Sequence, residues 1–274
     1  MTTSALEPLI LLDTHVHLHQ CFDVGQVLSK AAENFSARAA QLGCAENFLA
    51  FLCLTEMAGE NWFSRQFEAV HQQSKPISID RNWSLKPTSE PFSLLAVHPN
   101  GIELVLFAGR QIVTQERLEV LALLTDKTFP DGQPLTQTVH AIATEKGIPV
   151  LPWGVGKWIG KRGKLVADFL QANDAPKVFL GDNSGRPLGW RRPVQFSVAE
   201  QKGIPILPGT DPLPLPSEGS RVGSFGLQLS GSVDQDRPAA SVMSRLQSLS
   251  PPSLTYGNLE TPWRFIKNQI ALRA

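Results

Sequence analysis

Two histidines near the start of the chain have the spacing of a metal-ligand pair. His15 and His17 follow an apolar run, Pro8-Leu9-Ile10-Leu11-Leu12, that predicts a buried strand. Successive side chains of a strand point to opposite faces, so these two imidazoles point the same way and can share one ion. Imidazole nitrogen is a common ligand of zinc and iron. The motif therefore predicts part of a metal site where the first strand ends.

The remaining histidines limit what kind of centre this pair can complete. All six histidines lie at or before position 140, and residues 141–274 contain neither His nor Cys. A metal centre whose histidine ligands come from the C-terminal strands is therefore excluded. His19 is expected to lie outside the site, while His71, His98 and His140 have no partner at ligand spacing.

A repeated unit of helix and strand predicts the elements that position these side chains. The segments 147–152 and 203–208 read GIPVLP and GIPILP, match at five of six positions, and each follows a helical pattern. Such alternation is typical of a parallel sheet with crossover helices. Seven apolar runs are predicted strands: 8–14, 48–55, 102–109, 118–124, 148–153, 177–181 and 204–210. They favour a closed βα barrel whose functional residues follow the strand C-termini.

Length and composition favour one domain over 1–274, with an irregular excursion at 58–91 and a loop-rich segment at 212–274. The chain has 25 basic and 25 acidic residues. A formal charge of zero argues against nucleic acid and an anionic membrane as partners, although a local basic patch is compatible with it. No signal peptide or membrane span is evident, so we expect a cytoplasmic protein. The sequence does not determine its oligomeric state.

The strand-end residues resemble those of the PHP (polymerase and histidinol phosphatase) family of metal-dependent phosphoesterases. The family's opening Asp-x-His-x-His is matched by Asp13, His15 and His17, while Glu56 and Asp211 keep acids of two later motifs. The resemblance implies an α/β fold, a distorted seven-stranded (β/α) TIM-like barrel. It also implies that His15, His17 and Asp211 bind metal, with Glu56 as a further ligand or general base.

Five positions depart from the family's ligand pattern. Met57, Gln111, Glu119, Trp153 and Leu213 stand where the family places other metal-binding residues. A thioether or an aliphatic side chain cannot replace a carboxylate or an imidazole for such ions. The resemblance thus implies one divalent ion, Zn²⁺, Mn²⁺ or Fe²⁺, rather than a cluster of two or three. The alternative is that the two histidines are relics, hydrogen-bonded in a degenerate barrel.

A cationic, glycine-rich segment predicts an anion-binding surface. Residues 153–164 combine four glycines with four cations at a strand-to-helix junction. Glycines allow close backbone approach, and N–H groups at a helix start favour anions. We expect Lys157, Lys161 and Arg186 to bind the anion and Trp153 and Asp182 to contact the substrate. A solvated loop at 153–164 and an Asx turn at Asp182 are the alternatives.

These observations lead to two functional hypotheses. The first is a metal-dependent hydrolase, specifically a phosphoesterase that acts on a small anionic molecule. In it Glu56 and Asp211 are the catalytic residues, and one ion gives metal-dependent turnover of an activated ester. The second is a non-catalytic barrel that binds a small ligand or a protein partner. Fold alone does not choose between them, because function belongs to the site.

Overall fold

The computed structural model describes residues 7–73, 75–172 and 175–273 and has a mixed α/β fold. The strands are β1 (Leu9–Val16), β2 (Phe48–Leu54), β3 (Ile77–Ser78), β4 (Ser84–Pro87), β5 (Ser93–Val97), β6 (Glu103–Phe107), β7 (Gly109–Val113), β8 (Glu119–Leu123), β9 (Ile148–Pro152), β10 (Phe179–Asn183), β11 (Ile206–Gly209), β12 (Gly226–Ser230) and β13 (Thr255–Tyr256). The helices are α1 (Val24–Gln41), α2 (Trp62–Gln73), α3 (Leu135–Thr144), α4 (Gly160–Gln171), α5 (Val194–Gln201), α6 (Pro238–Gln247) and α7 (Pro262–Ala271), with a 3-10 helix at Pro216–Arg221.

The strands form two sheets. The larger has the order β13-β12-β1-β2-β6-β5-β4-β3, and the smaller has the order β11-β10-β9-β8-β7. The pairs β9-β10 and β10-β11 are parallel, as the helix-and-strand repeat predicts. The hydrogen-bond ladders do not form the expected closed seven-stranded barrel, because β1 belongs to the other sheet and β8 is antiparallel to both of its neighbours.

The two sheets meet at both ends of the smaller one. Ala108 alone separates β6 from β7, so a nearly continuous stretch of chain passes from one sheet to the other, and Glu56 bridges to Arg110 beside it. At the opposite end the Thr14 hydroxyl donates to the Pro208 carbonyl at 2.9 Å. These contacts bring the carboxyl ends of β1 and β11 side by side.

The helices α3 and α5 precede the two GIP segments, as the helical patterns before those segments predict. The apolar faces of the helices cover the sheets, and all eight residues of β1 are buried, Asp13, Thr14 and His15 among them. The segment 212–274, expected to be loop-rich, contains β12, β13, α6 and α7. β12 pairs antiparallel with β1 and buries that strand's other edge. No helix in the described part of the chain is long and apolar enough to cross a membrane.

Candidate metal centre

Three side chains converge at the shared carboxyl ends of β1 and β11. The Nε2 atoms of His15 and His17 are 3.1 Å apart, and the Asp211 Oδ1 atom is 3.4 Å and 3.6 Å from them. Both imidazoles are buried, whereas the carboxylate is about a quarter exposed. The convergence predicted for these residues is therefore observed, and the cluster has one side facing a cavity.

Local backbone structure explains why residues almost 200 positions apart meet. A Cβ atom at Gly209 would lie only 2.4 Å from the His15 backbone nitrogen, so only glycine lets β11 approach β1 this closely. Beyond it, the Asp211 N–H donates to the His15 carbonyl at 2.8 Å. Asp211 has φ +45°, a left-handed conformation that aspartate adopts more readily than most residues. This turn directs its carboxylate toward the imidazoles.

The donor spacing fits a single metal ion. Two ligand atoms bound at about 2.1 Å to one tetrahedral ion are about 3.4 Å apart. The three separations here, between 3.1 and 3.6 Å, lie close to that value. Two imidazoles and one carboxylate are also a ligand set that zinc and iron accept. The residues present therefore fit one divalent ion with open coordination positions toward the cavity.

Burial keeps both imidazoles in the protonation state that metal binding requires. Burial, followed by the nearby charge of His15, lowers the pKa of His17 to about 3. Burial also lowers the pKa of His15 against the opposing effect of the Asp211 carboxylate. Both rings are therefore neutral at physiological pH. A neutral ring nitrogen has the lone pair that an ion needs.

Two amide side chains lie beside the ligand atoms, and one of them orients Asp211. The Asn183 Nδ2 atom donates to Asp211 Oδ2 and to the Trp153 carbonyl, both at 2.8 Å. Gln111 lies on the same cavity, and its side chain opposes the lowering of the pKa of both histidines. Sequence reasoning selected Asp182 and missed Asn183, its neighbour. Because adjacent side chains of a strand point to opposite faces, only one of the two can face the cluster from β10, and it is Asn183.

Asp13, the first residue of the histidine motif, has a supporting position behind the cluster. Its carboxylate accepts hydrogen bonds from the Thr210 N–H at 2.8 Å, the Thr210 hydroxyl at 2.5 Å and the Gly223 N–H at 2.9 Å. Burial raises the pKa of Asp13 to about 7 in spite of these bonds. These bonds connect β1 to Thr210, which precedes Asp211, and to Gly223, which precedes β12.

The cluster opens into a cavity of about 600 Å³. Its polar side includes His17, Asp211 and Asn183 together with the ion pair of Lys157 and Glu119. Its apolar side and rim come from short loops and from α7, through Met57, Pro212, Leu213, Phe265 and Leu272. Such a cavity can receive a small molecule that has one polar end and an apolar body.

The other predicted site residues divide into those inside and those outside this cavity. Lys157 lines it. Glu56 instead pairs with Arg110 at 3.0 Å, accepts from the Phe63 N–H at 2.8 Å and lines a separate, smaller cavity. Burial raises the pKa of Glu56. The structure thus does not bring Glu56 together with the three metal-ligand candidates.

The remaining predicted substrate contacts are engaged elsewhere or point away. Asp182 and Arg186 form a two-bond ion pair with each other, at 3.0 and 2.7 Å. Lys161 is exposed on the first turn of α4. The Trp153 side chain is buried in a hydrophobic cluster. Only its backbone carbonyl takes part in the site, through Asn183.

Comparison with solved structures shows a shared fold. PsfC from Pseudomonas syringae PB-5123 matches with a TM-score of 0.55 and 16% sequence identity, over 97% of this chain and 98% of that chain. Endonuclease Q from Pyrococcus furiosus matches more weakly, with a TM-score of 0.48 and 10% identity over 89% of this chain and 57% of that chain. The sequence matches no family model and no curated protein. Membership of the PHP family therefore stays a prediction.

One expectation about partners requires correction. A further similar structure, with a TM-score of 0.44 and 11% identity, is a complex of Endonuclease Q with a 27-mer duplex substrate that carries an abasic lesion. The prediction that nucleic acid is an unlikely partner is wrong. It used the formal charge of zero, which is a sum over the whole chain, whereas phosphate contacts depend on local charge.

Proposed function

We propose that this protein is a metal-dependent hydrolase that acts on a small anionic substrate, a phosphoester in the first instance. The observation that carries the proposal is the convergence of His15, His17 and Asp211, at ligand spacing, on one side of a cavity. The resemblance of the motifs to the PHP family supports it. Within the proposal the protein is a divergent PHP-like phosphoesterase.

The proposed chemistry requires little of the chain beyond ligand placement and substrate orientation. In hydrolysis the water oxygen bonds to phosphorus and the ester P–O bond breaks. A proton from the water goes to the departing oxygen, which leaves as the alcohol. A divalent ion activates water and polarises a phosphoryl oxygen when it is bound. His15 and His17, neutral through burial, and Asp211, oriented by Asn183, would hold it. We assign no ligand role to Glu56, because Arg110 and the Phe63 N–H occupy its carboxylate.

A single ion cannot hold both the attacking and the leaving oxygen. We therefore propose activity on activated esters with good leaving groups rather than broad phosphoesterase activity. A non-catalytic barrel that binds a small ligand remains the second candidate. The replacement of family ligands by Met57, Trp153 and Leu213 favours it.

The test begins with metal content and metal affinity. We expect the purified protein to bind one equivalent of Zn²⁺ or Mn²⁺ in a calorimetric titration, and His15→Ala and Asp211→Asn to abolish this binding. His140→Ala is the matched control, since His140 is exposed on α3, away from the cluster. Binding that survives both cluster variants would refute the assigned site.

Turnover distinguishes the two candidate functions. We expect chelator-sensitive hydrolysis of p-nitrophenyl phosphate or its diester that disappears in Asp211→Asn. Hydrolysis that neither a chelator nor this variant affects would place the chemistry elsewhere. Metal binding without turnover of any ester, together with binding of a small anion, would favour the non-catalytic alternative.

A further inference from the structure

The ion pair between Lys157 and Glu119 occupies the cavity beside the metal-ligand cluster. The Lys157 side chain is 33% exposed and that of Glu119 is 18% exposed. Glu119 begins β8, which runs antiparallel to β9. Because of this reversed direction, the start of β8 lies at the same end of the sheet as the carboxyl ends of β9, β10 and β11. In a βα barrel, β8 would run parallel to its neighbours. Its antiparallel direction instead places the Glu119 carboxylate at the end of the sheet where β9, β10 and β11 finish.

The backbone is built to direct Lys157 into this position. The Lys157 N–H donates to the Gly154 carbonyl at 3.0 Å, which closes a tight turn after β9. A Cβ atom on Gly154 would lie 2.9 Å from Lys157 Cδ and 3.1 Å from its Cγ. The methylene stem of Lys157 therefore lies directly over the bare Cα of Gly154. Any side chain at position 154 would push the ammonium group away.

Lys157 is also close enough to the cluster to sense its charges. Burial lowers the pKa of Lys157, while the Asp211 carboxylate opposes that shift. The positive charge of Lys157 in turn contributes to the lowered pKa of His15, where burial is the main cause. An anion that reached the cluster would therefore lie within the electrostatic influence of this ammonium group.

Arg221 and Arg273 are the other lysine or arginine side chains in the described lining of the cavity, and Arg221 has its partners already. Arg221 pairs with Glu218 at 3.2 Å and with Glu260 at 2.5 Å, and both carboxylates are buried. The Lys157 ammonium group has three N–H donors and pairs with the Glu119 carboxylate. Lys157 can therefore contact Glu119 and an incoming anion together.

We infer that Lys157 is the anion-binding residue of this cavity and that Glu119 is the partner with which the anion competes. The inference deepens and rests on the proposed function, because it assigns how the substrate's phosphoryl or carboxylate group is held beside the ion. Lys157 supplies the second positive contact that one ion cannot provide. Lys161 and Arg186, predicted alongside it from sequence, have no part in this subsite.

Variants with opposite expected effects test the inference, with inorganic phosphate as the probe in calorimetric titrations. Lys157→Met should weaken phosphate binding by about tenfold or more, the value of a lost charge-assisted hydrogen bond. Glu119→Gln should strengthen it, because the amide competes less for the ammonium group. Gly154→Ala should weaken it while leaving all charges in place. Lys161→Met is the matched control and should leave it unchanged.

Each protein is titrated with phosphate both with and without Zn²⁺. The outcomes therefore distinguish a failure of this inference from a failure of the proposed function. Equal phosphate affinity in Lys157→Met and wild type, or weaker binding in Glu119→Gln, would overturn the inference while normal Zn²⁺ binding kept the proposed metal site. Phosphate binding that depends on Lys157 without any Zn²⁺ binding would keep the anion subsite and overturn the metal site. Absence of phosphate binding in both wild-type forms would overturn the inference.

Discussion

Two groups of largely buried polar side chains each contribute residues to the same cavity and differ in how the protein satisfies them. The first is the metal-ligand cluster of His15, His17 and Asp211. The second is a carboxylate–arginine network made of Glu218, Arg221, Glu260 and Arg264. In the network each acid faces a guanidinium group. In the cluster, three ligand atoms face one another.

The carboxylate–arginine network is saturated by its own members. Glu218 is fully buried and accepts hydrogen bonds from Arg221, Arg264 and Asn268. Arg221 also donates to the Ser184 hydroxyl at 2.6 Å. These bonds fasten α7 and the 3-10 helix to the loop after β10. A buried network in which each carboxylate accepts hydrogen bonds from arginine stabilises the fold.

The metal-ligand cluster is incomplete by the same criterion. The Nδ1 atom of His17 is buried and has no hydrogen-bond partner within the described structure. The two Nε2 atoms are 3.1 Å apart, which is hydrogen-bond distance, and both lie within 3.6 Å of Asp211 Oδ1, so all three can face one ion. Three converging ligand atoms thus indicate a metal site, whereas the buried carboxylates of Glu218 and Glu260, held by guanidinium groups, connect chain segments.

The largest effect should come from breaking the saturated network. Arg221→Met leaves Glu218 and Glu260 buried with fewer donors, and we expect it to lower the free energy of unfolding by about 3–5 kcal/mol. Urea denaturation followed by tryptophan fluorescence measures this. Arg192→Met, which breaks an exposed pair with Glu200, is the control and should cost less than about 1 kcal/mol. A similar loss in both variants would remove the distinction between saturated and exposed pairs.

The next effect is a pH dependence that belongs to the metal-ligand cluster. In chelator, the contribution of the two histidines to the free energy of unfolding should fall as the pH decreases from 7 to 5, opposite in sign to that of Asp13, whose pKa burial raises to about 7. The unfolded histidines take up protons near their ordinary pKa of 6.5, whereas folded His17 resists protonation until about pH 3. This stability is fully present above pH 6.5 and is lost progressively toward pH 3, and for His17 the loss at pH 5 amounts to about 2 kcal/mol.

Two variants assign that pH dependence to its source. His17→Gln should reduce the slope of unfolding free energy against pH, whereas Arg221→Met should retain the slope at lower overall stability. Denaturation curves at several pH values measure both. An unchanged slope in His17→Gln would show that another group causes the dependence.

The smallest effect concerns the amide that orients Asp211. Asn183→Ala removes the hydrogen bond to Asp211 Oδ2, and we expect metal affinity to fall by about 10–100-fold, as for other residues that orient metal ligands. Asp182→Asn is the control, because Asp182 pairs with Arg186 and should leave metal affinity unchanged. Equal effects in the two variants would contradict the alternation of faces along β10.

Much of the fold near the site could be predicted from local sequence patterns. The apolar run before His15 becomes β1, and the two GIP segments mark the start of β9 and the chain just before β11. Alternation of side chains along a strand correctly places His15 and His17 on one face. These features depend on residues close together in sequence, which is why periodicity and spacing reveal them.

Tertiary structure decided the rest. The pairing of β12 with β1, the antiparallel direction of β8 and the choice of Lys157 rather than Lys161 depend on contacts across long sequence separations. Nothing in the local pattern around Glu56 shows that Arg110 is its ion-pair partner. The sequence by itself determined which residues could bind a metal, because ligand chemistry is a property of the side chain. Only the packing of the two sheets decided which of them meet, because convergence depends on chain segments almost 200 residues apart.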